Sequence, residues 1–330
     1  MRTSVVVASL GLAAMLAACS FSNNNASAVP RGAAEQLAAG GVKNASASRY
    51  LYVGNADPPS IGGFRLRDRG NQTPERLIAG NRTRLHAPAG LAFDSQDNLY
   101  VSDCCVHYGG RILVYKAGAN GNVAPIRQIT GTPSGILINL AIAVDAEDYL
   151  YVASSEHILV FAPGAHGVAT PVRDITGVNQ VEGIALDAAG DLFAVDRFTN
   201  SVLEFPPGAD GNATPIAVIS GSQTHIDFPE FVNVSPTGDI YVTEESDVLE
   251  FAAGANGNVP PRHIITTQGV TPLSNAPVSG EHMYVGSLSS SSGGYAIGVY
   301  RTNDDGPSLP VRSIKGDRTG LAEPNSLAIR

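Results

Sequence analysis

The chain has 330 residues, 43% of them hydrophobic and only 15% charged, with 36 Gly, 21 Pro and a formal net charge of −9. Long solvent-facing helices carry Glu, Lys and Arg on their wet side, so this composition favours short strands and turns. The acidic balance, with no basic stripe, excludes nucleic-acid binding through phosphate neutralisation.

At the start of the chain, Arg2 supplies a positive charge and Val5 to Leu16 form an apolar run. That run has the length of a secretory signal and is too short to span a bilayer permanently. It ends in Leu16-Ala17-Ala18-Cys19, which resembles the lipobox of bacterial lipoproteins. The resemblance implies an export signal over residues 1–18 and a lipid on Cys19, the new N-terminus. Ser20 after the cysteine implies the outer membrane of a Gram-negative cell, facing the periplasm or the surface. Contact with the membrane is then through the lipid anchor only. Residues 19–47 are rich in Ser, Asn, Ala and Gly. They hold too little apolar surface to fold and read as a flexible tether.

From residue 48 to 330 one pattern recurs six times: Gly, three residues, Pro, three residues, Ile. The copies are Gly70/Pro74/Ile78, Gly121/Pro125/Ile129, Gly167/Pro171/Ile175, Gly211/Pro215/Ile219, Gly257/Pro261/Ile265 and Gly306/Pro310/Ile314. Successive glycines lie 51, 46, 44, 46 and 49 residues apart, the spacing of a four-stranded propeller blade. Each repeat reads as four strands. In the second repeat these are Gly90 to Asp94, Leu99-Tyr100-Val101, Ile112 to Tyr115 and Pro125 to Ile129. Asn120-Gly121, Asp210-Gly211, Asn256-Gly257 and Asp305-Gly306 predict a tight type I′ hairpin before the fourth strand. The domain opens on a second strand, Tyr50-Leu51-Tyr52-Val53, and closes on a first strand, Pro324 to Ile329. The C-terminal strand is therefore expected to complete the first blade and close the ring, leaving no central edge unpaired. The expected fold class is all-β, a six-bladed β-propeller of four-stranded blades.

The run Asp94…Asn98-Leu99-Tyr100-Val101-Ser102-Asp103…Gly110-Arg111-Ile112-Leu113-Val114-Tyr115 resembles the NHL repeat, as does Asp187…Leu192-Phe193-Ala194-Val195-Asp196. The resemblance covers residues 48–330 and itself implies six blades. Blade six departs from it, with Ser279-Gly280-Glu281-His282 in place of the Asp-containing turn and a Ser-rich insert after it.

Six repeats in one chain act as an internal control. Residues shared by most blades read as architectural, and residues that break the repeat read as functional candidates. Arg76, Arg127, Arg173 and Arg312 are thus expected to pack between neighbouring outer strands. Asn71, Asn122, Asn212 and Asn258 are expected to serve the hairpin turn. The breaks gather in second-to-third-strand loops and in the loops between blades, which share one face. Cys104-Cys105 follows Asp103, with His107 beyond. The pair is open to a vicinal disulfide, to free thiols, or to metal binding with His107. Glu182, Glu230 and Asn325 hold matching positions at the starts of first strands. Two carboxylates and an amide there could hold Ca²⁺, or simply line a solvated channel rim. His225, entering blade five, is a weak candidate base or ligand. The charges of Asp196-Arg197 and Glu244-Glu245 read as wet loops.

No phosphate-binding glycine loop and no nucleophile elbow is present. The reading is therefore of a lipid-anchored cell-envelope propeller that binds a protein, glycan or small ligand, more a binding module than an enzyme. The alternative is a metal-dependent lactonase or lyase with its site at the channel mouth, using Glu182, Glu230 and Asn325 as ligands and His225 as base.

Overall fold

The computed structural model describes residues 49–106, 109–130, 136, 141–289 and 293–330. The export signal, Cys19, the tether, His107 and the side chain of Cys105 lie outside the described residues. The chain forms six sheets arranged as blades. Blade one pairs Pro324–Ile329, Tyr50–Asn55, Ser60–Arg65 and Arg76–Ala79 in that order. Blade two runs Pro88–Phe93, Leu99–Val106, Gly109–Tyr115 and Arg127–Thr130. Blade three is Ile142–Val144, Leu150–Ser154, His157–Phe161 and Arg173–Ile175. Blade four is Val181–Leu186, Leu192–Asp196, Ser201–Phe205 and Ala217–Ser220. Blade five is Phe231–Val234, Ile240–Thr243, Asp247–Phe251 and His263–Thr267. In blade six the inner strand is broken into Val270–Pro272 and Val278–Ser279, both paired with His282–Ser289, followed by Tyr295–Arg301 and Arg312–Lys315. The ring closes as the terminal half-repeats predict, with Leu51 opposite Ile329, Tyr52 opposite Ala328 and Val53 opposite Leu327.

Alternation along each strand sends successive side chains into opposite neighbouring seams. Each of the six seams accordingly has its own apolar cluster. Tyr100, Ile112 and Val114 of blade two meet Ile142, Val152 and Phe161 of blade three. Tyr151, Ile158 and Val160 then meet Ile184, Leu192 and Phe205 of blade four. The closing seam is no weaker in kind, setting Tyr284, Ile297 and Ile314 against Leu51, Phe64 and Leu327.

The recurring Gly-x3-Pro-x3-Ile motif is a clasp between blades. Its six isoleucines are all buried, and each pairs in parallel with the motif glycine of the next blade, Gly70 meeting Ile314 to complete the circle. The Asn-Gly and Asp-Gly pairs therefore do not form two-residue hairpins. Residues 116–126 separate the third and fourth strands of blade two, and Gly121 stands at φ 80° to offer its backbone to Leu77. The side chain before the glycine accepts an N–H from the preceding blade: Asn120 from Leu77 at 2.8 Å, Asp210 from Asp174 at 2.9 Å, Asn256 from Val218 at 3.1 Å. The asparagine after it is not local turn chemistry either. Asn122 accepts from Arg82 N–H at 2.8 Å and Asn258 from Gln223 N–H at 2.7 Å. These amides sit against Gly80 and Gly221, where a Cβ would come within 2.6 Å of them.

The repeated arginines also differ from expectation. Each reaches back across its own blade to a second-strand tyrosine hydroxyl: Arg76 to Tyr52 at 3.0 Å, Arg127 to Tyr100 at 2.8 Å, Arg173 to Tyr151 at 3.1 Å, Arg312 to Tyr284 at 3.0 Å.

Candidate functional site

In blades two, four and five the residue four places after the start of the second strand does one repeated task. Asp103 accepts the N–H groups of His86 and Ala87, both at 2.8 Å. Asp196 accepts those of Asn179 and Thr199, both at 3.0 Å. Glu244 accepts that of Asp227 at 2.8 Å. These buried carboxylates hold the loop that enters their own blade, so they are clamps and not wet loop charges. Glu244 is the least satisfied of them. Burial, with Asp247 and Asp227 close by, pushes its carboxyl up to about 8.

Arg197, one residue past the clamp of blade four, breaks the repeat. Its guanidinium lies 3.5 Å from Glu182 Oε1 and 3.6 Å from Glu230 Oε1. The two glutamates begin the inner strands of adjacent blades, and both are buried. Gln180 donates to Glu182 at 3.2 Å, while Glu182 Oε2 has no hydrogen-bond partner among the described residues. Burial raises the Glu182 carboxyl to about 7, against the opposing pull of Arg197 and Gln180.

This arrangement does not fit the Ca²⁺ set expected of Glu182, Glu230 and Asn325. A cation between the two carboxylates would have to take the place of Arg197. Asn325 begins the inner strand of blade one, across the ring from blade four. It is buried, and its Nδ2 is without a hydrogen-bond partner among the described residues. These side chains are also too buried to be a solvated rim, with Glu182 only 1% exposed. In blade six the inner strand is interrupted at this level, and Asn275 there is committed to structure by two bonds to the backbone of Leu327. Among the described residues no three His, Cys, Asp or Glu side chains are grouped to hold a metal. His225 is exposed at φ 60°, and its ring makes no hydrogen bond or ion pair among the described residues. Cys104 is buried against Ala87 and Ala89 and is disulfide-bonded.

Two residues that the sequence does not single out complete the site. Phe198 is 79% exposed and Phe228 is 61% exposed, and the Arg197 guanidinium lies 5.9 Å from the Phe228 ring centre. Phe228 stands at φ 51°, a conformation rare and costly for a bulky residue. It is held there by Asn200, whose side chain accepts the Phe228 N–H at 2.9 Å and reaches Asp227 at 3.4 Å. The entry loop of blade five is thus tied to the loop of blade four. Two phenyl rings face solvent beside a cation fixed from below by two carboxylates. The sequence signal was available: Asp196-Arg197-Phe198 has no counterpart in the other blades.

Neither protein-family profiles nor curated protein sequences match the chain. Solved structures do match it in shape. A protein from Lactobacillus plantarum aligns with TM-score 0.57 and 12% identity over 86% of this chain and 99% of its own. The periplasmic gluconolactonase PpgL of Pseudomonas aeruginosa aligns with TM-score 0.54 and 15% identity over 86% and 99%. The WD40 β-propeller domain of Doa1 aligns with TM-score 0.53 and 14% identity over 77% and 76%. At such identities the likeness is one of fold, and the fold is a six-bladed β-propeller.

Proposed function

We propose that the chain is a lipid-anchored, NHL-like propeller of the bacterial cell envelope that binds a ligand without chemistry, through the face carrying Arg197, Phe198 and Phe228. The observation that carries this reading is the placement of Arg197. It occupies the carboxylates that a metal-dependent lactonase or lyase would need free, and it lies over the exposed ring of Phe228, with the exposed Phe198 next in the chain. Aromatic residues and arginine dominate the energetics of binding surfaces. The likeness to a gluconolactonase concerns the scaffold, and unrelated functions share scaffolds of this kind. Support for the anchor is the apolar run ending in Leu16-Ala17-Ala18-Cys19. No helix among the described residues is long and apolar enough to cross a membrane.

The test is a titration of the purified protein with Ca²⁺, Mn²⁺ and Zn²⁺, followed by thermal melting and hydrolysis of δ-gluconolactone. Any ligand selective for the folded state raises the melting temperature. The binding reading expects no metal-dependent rise and no hydrolysis. A rise that Glu182→Gln abolishes, accompanied by lactone opening, would establish the enzymatic alternative instead. For the anchor, Cys19→Ala is expected to move the protein from the membrane fraction to the soluble one. A variant that stays with membranes through a salt wash would remove the lipid from this reading.

A further inference from the structure

We propose that the clasp joining blades six and one is a basic patch that docks on anionic lipid headgroups. This rests on the cell-envelope reading above for its bilayer, and it adds a second membrane contact to the lipid expected on Cys19.

Charge is unevenly placed around the ring. Residues 49–84 and 270–330, which build blades one and six, hold 12 Lys or Arg against 8 Asp or Glu. Residues 85–269, which build blades two to five, hold 6 against 21. Four of the cations gather where Gly70 meets Ile314 and the ring closes. There the Gly70 N–H donates to the Ser313 carbonyl at 2.7 Å, and the Lys315 N–H donates to the Gly70 carbonyl at 3.1 Å. The Arg318 N–H donates to the Asn71 side chain at 2.8 Å. These bonds bring the backbone at Arg69, Lys315 and Arg318 together, with Arg67 two residues before Arg69. All four side chains are exposed. None makes a hydrogen bond or ion pair among the described residues. The neighbouring acids are committed locally. Asp68 accepts the Arg65 N–H at 2.8 Å, Asp317 accepts from the Asn71 amide at 2.6 Å, and Glu75 is paired with Arg65.

The other clasps do not carry this charge. Arg67 stands where blades two to five have Gly118, Gly164, Gly208 and Gly254. Lys315 stands where the other blades have Ala79, Thr130, Thr176, Ser220 and Thr266. Arg69 replaces Asn120, Asp210, Asn256 and Asp305, each of which accepts an N–H from the preceding blade. Arginine cannot accept one, so clasp chemistry is given up here for positive charge. Only Arg318 has a basic counterpart, Arg82.

Position in the chain selects the occupant. The Leu66 N–H donates to the Arg49 carbonyl at 3.3 Å. The segment that leads back to Cys19 therefore joins the ring beside Arg67. An anchor at Cys19 draws this sector toward the bilayer, rather than the acidic blades two to five. Clusters of Lys and Arg held beside a membrane are attracted to its anionic lipids.

The test is co-sedimentation with vesicles of equal parts phosphatidylglycerol and phosphatidylcholine, against phosphatidylcholine alone. It uses the chain from residue 20 onward, which keeps every strand of the ring. That chain has neither export signal nor Cys19, so its outcome does not depend on the lipid. Binding is expected to the anionic vesicles only, and to fade as salt is raised. Arg67→Gln with Arg69→Gln, and separately Lys315→Gln with Arg318→Gln, should each weaken it about thirtyfold at an unchanged melting temperature. The two pairs lie in different blades, so if one variant fails to fold the other decides. Lys116→Gln with Arg262→Gln removes the same charge from the acidic sector and should leave binding within about twofold of the parent. Equal binding to both kinds of vesicle, or an equal loss from this control pair, would overturn the proposal. So would absence of vesicle binding together with self-association, seen by light scattering and abolished by Arg67→Gln with Arg69→Gln. That result assigns the patch to the acidic blades of a second copy.

Discussion

Glu182 carries the electrostatic tension of the site. Its carboxyl ionises ordinarily at 4.5 and in the folded protein at about 7. The folded state therefore holds this proton more tightly than the unfolded state between those values. Stability is full below 4.5, falls as pH rises through the interval, and levels off above it. The shift corresponds to about 3 kcal/mol. Glu182→Gln resembles the protonated form and leaves Arg197 paired with Glu230. Its melting temperature is expected to exceed that of the parent at pH 8 and to match it at pH 4. Equal melting temperatures at both values would refute the assignment. Arg197 itself was hard to read from sequence. A charge in a loop is solvated by default, and only the fold shows two inner-strand carboxylates converging beneath it. Phe198 belongs to a run that breaks the repeat, but nothing in linear spacing distinguishes an aromatic turned outward, as Phe198 and Phe228 are, from one that packs.

The inner strand of blade six is the element that departs most from its siblings. Between its two short pieces, Ser274 and Asn275 are fully buried. Ser274 Oγ accepts the Gly286 N–H at 2.8 Å. Asn275 takes the place of a strand neighbour for blade one, accepting Leu327 N–H at 2.9 Å and donating to its carbonyl at 3.0 Å. Asn233 of blade five accepts the Ala276 N–H at 3.0 Å. Amide side chains thus join three successive inner strands where the backbone ladder is interrupted. Asn275→Ala would leave a buried donor and a buried acceptor unsatisfied, at roughly 2–4 kcal/mol. Chemical denaturation measures this directly, and a loss below about 1 kcal/mol would mean that water replaces the amide. The repeat made the elements legible, because six registers had to agree on one strand pattern. The use of Asn-Gly was not legible. A left-handed glycine after asparagine serves a two-residue hairpin and a clasp onto the next blade equally well, and the partner strand lies some forty residues away, Asn120 bonding Leu77.

At the scale of the whole molecule, cohesion is distributed. Each blade contacts its neighbours through one apolar seam and one clasp, so no single core dominates, and the closing seam uses the same parts as the rest. That closure has a consequence for chain order. Tyr50 donates to the Arg330 carbonyl at 2.6 Å, and Arg330 donates back to Tyr50 at 2.9 Å. The two ends of the ring already touch, so the order in which blades are synthesised carries no structural information. A circular permutant that links residue 330 to residue 49 through a short glycine spacer, with new ends between the exposed Ser155 and Glu156, should fold to the same ring. Its melting temperature is expected to lie within a few degrees of the parent, since the new ends cost only local fraying. Blade three would then be the blade assembled from two distant segments, and the strand pair that now closes blade one would become an ordinary hairpin in an uninterrupted chain.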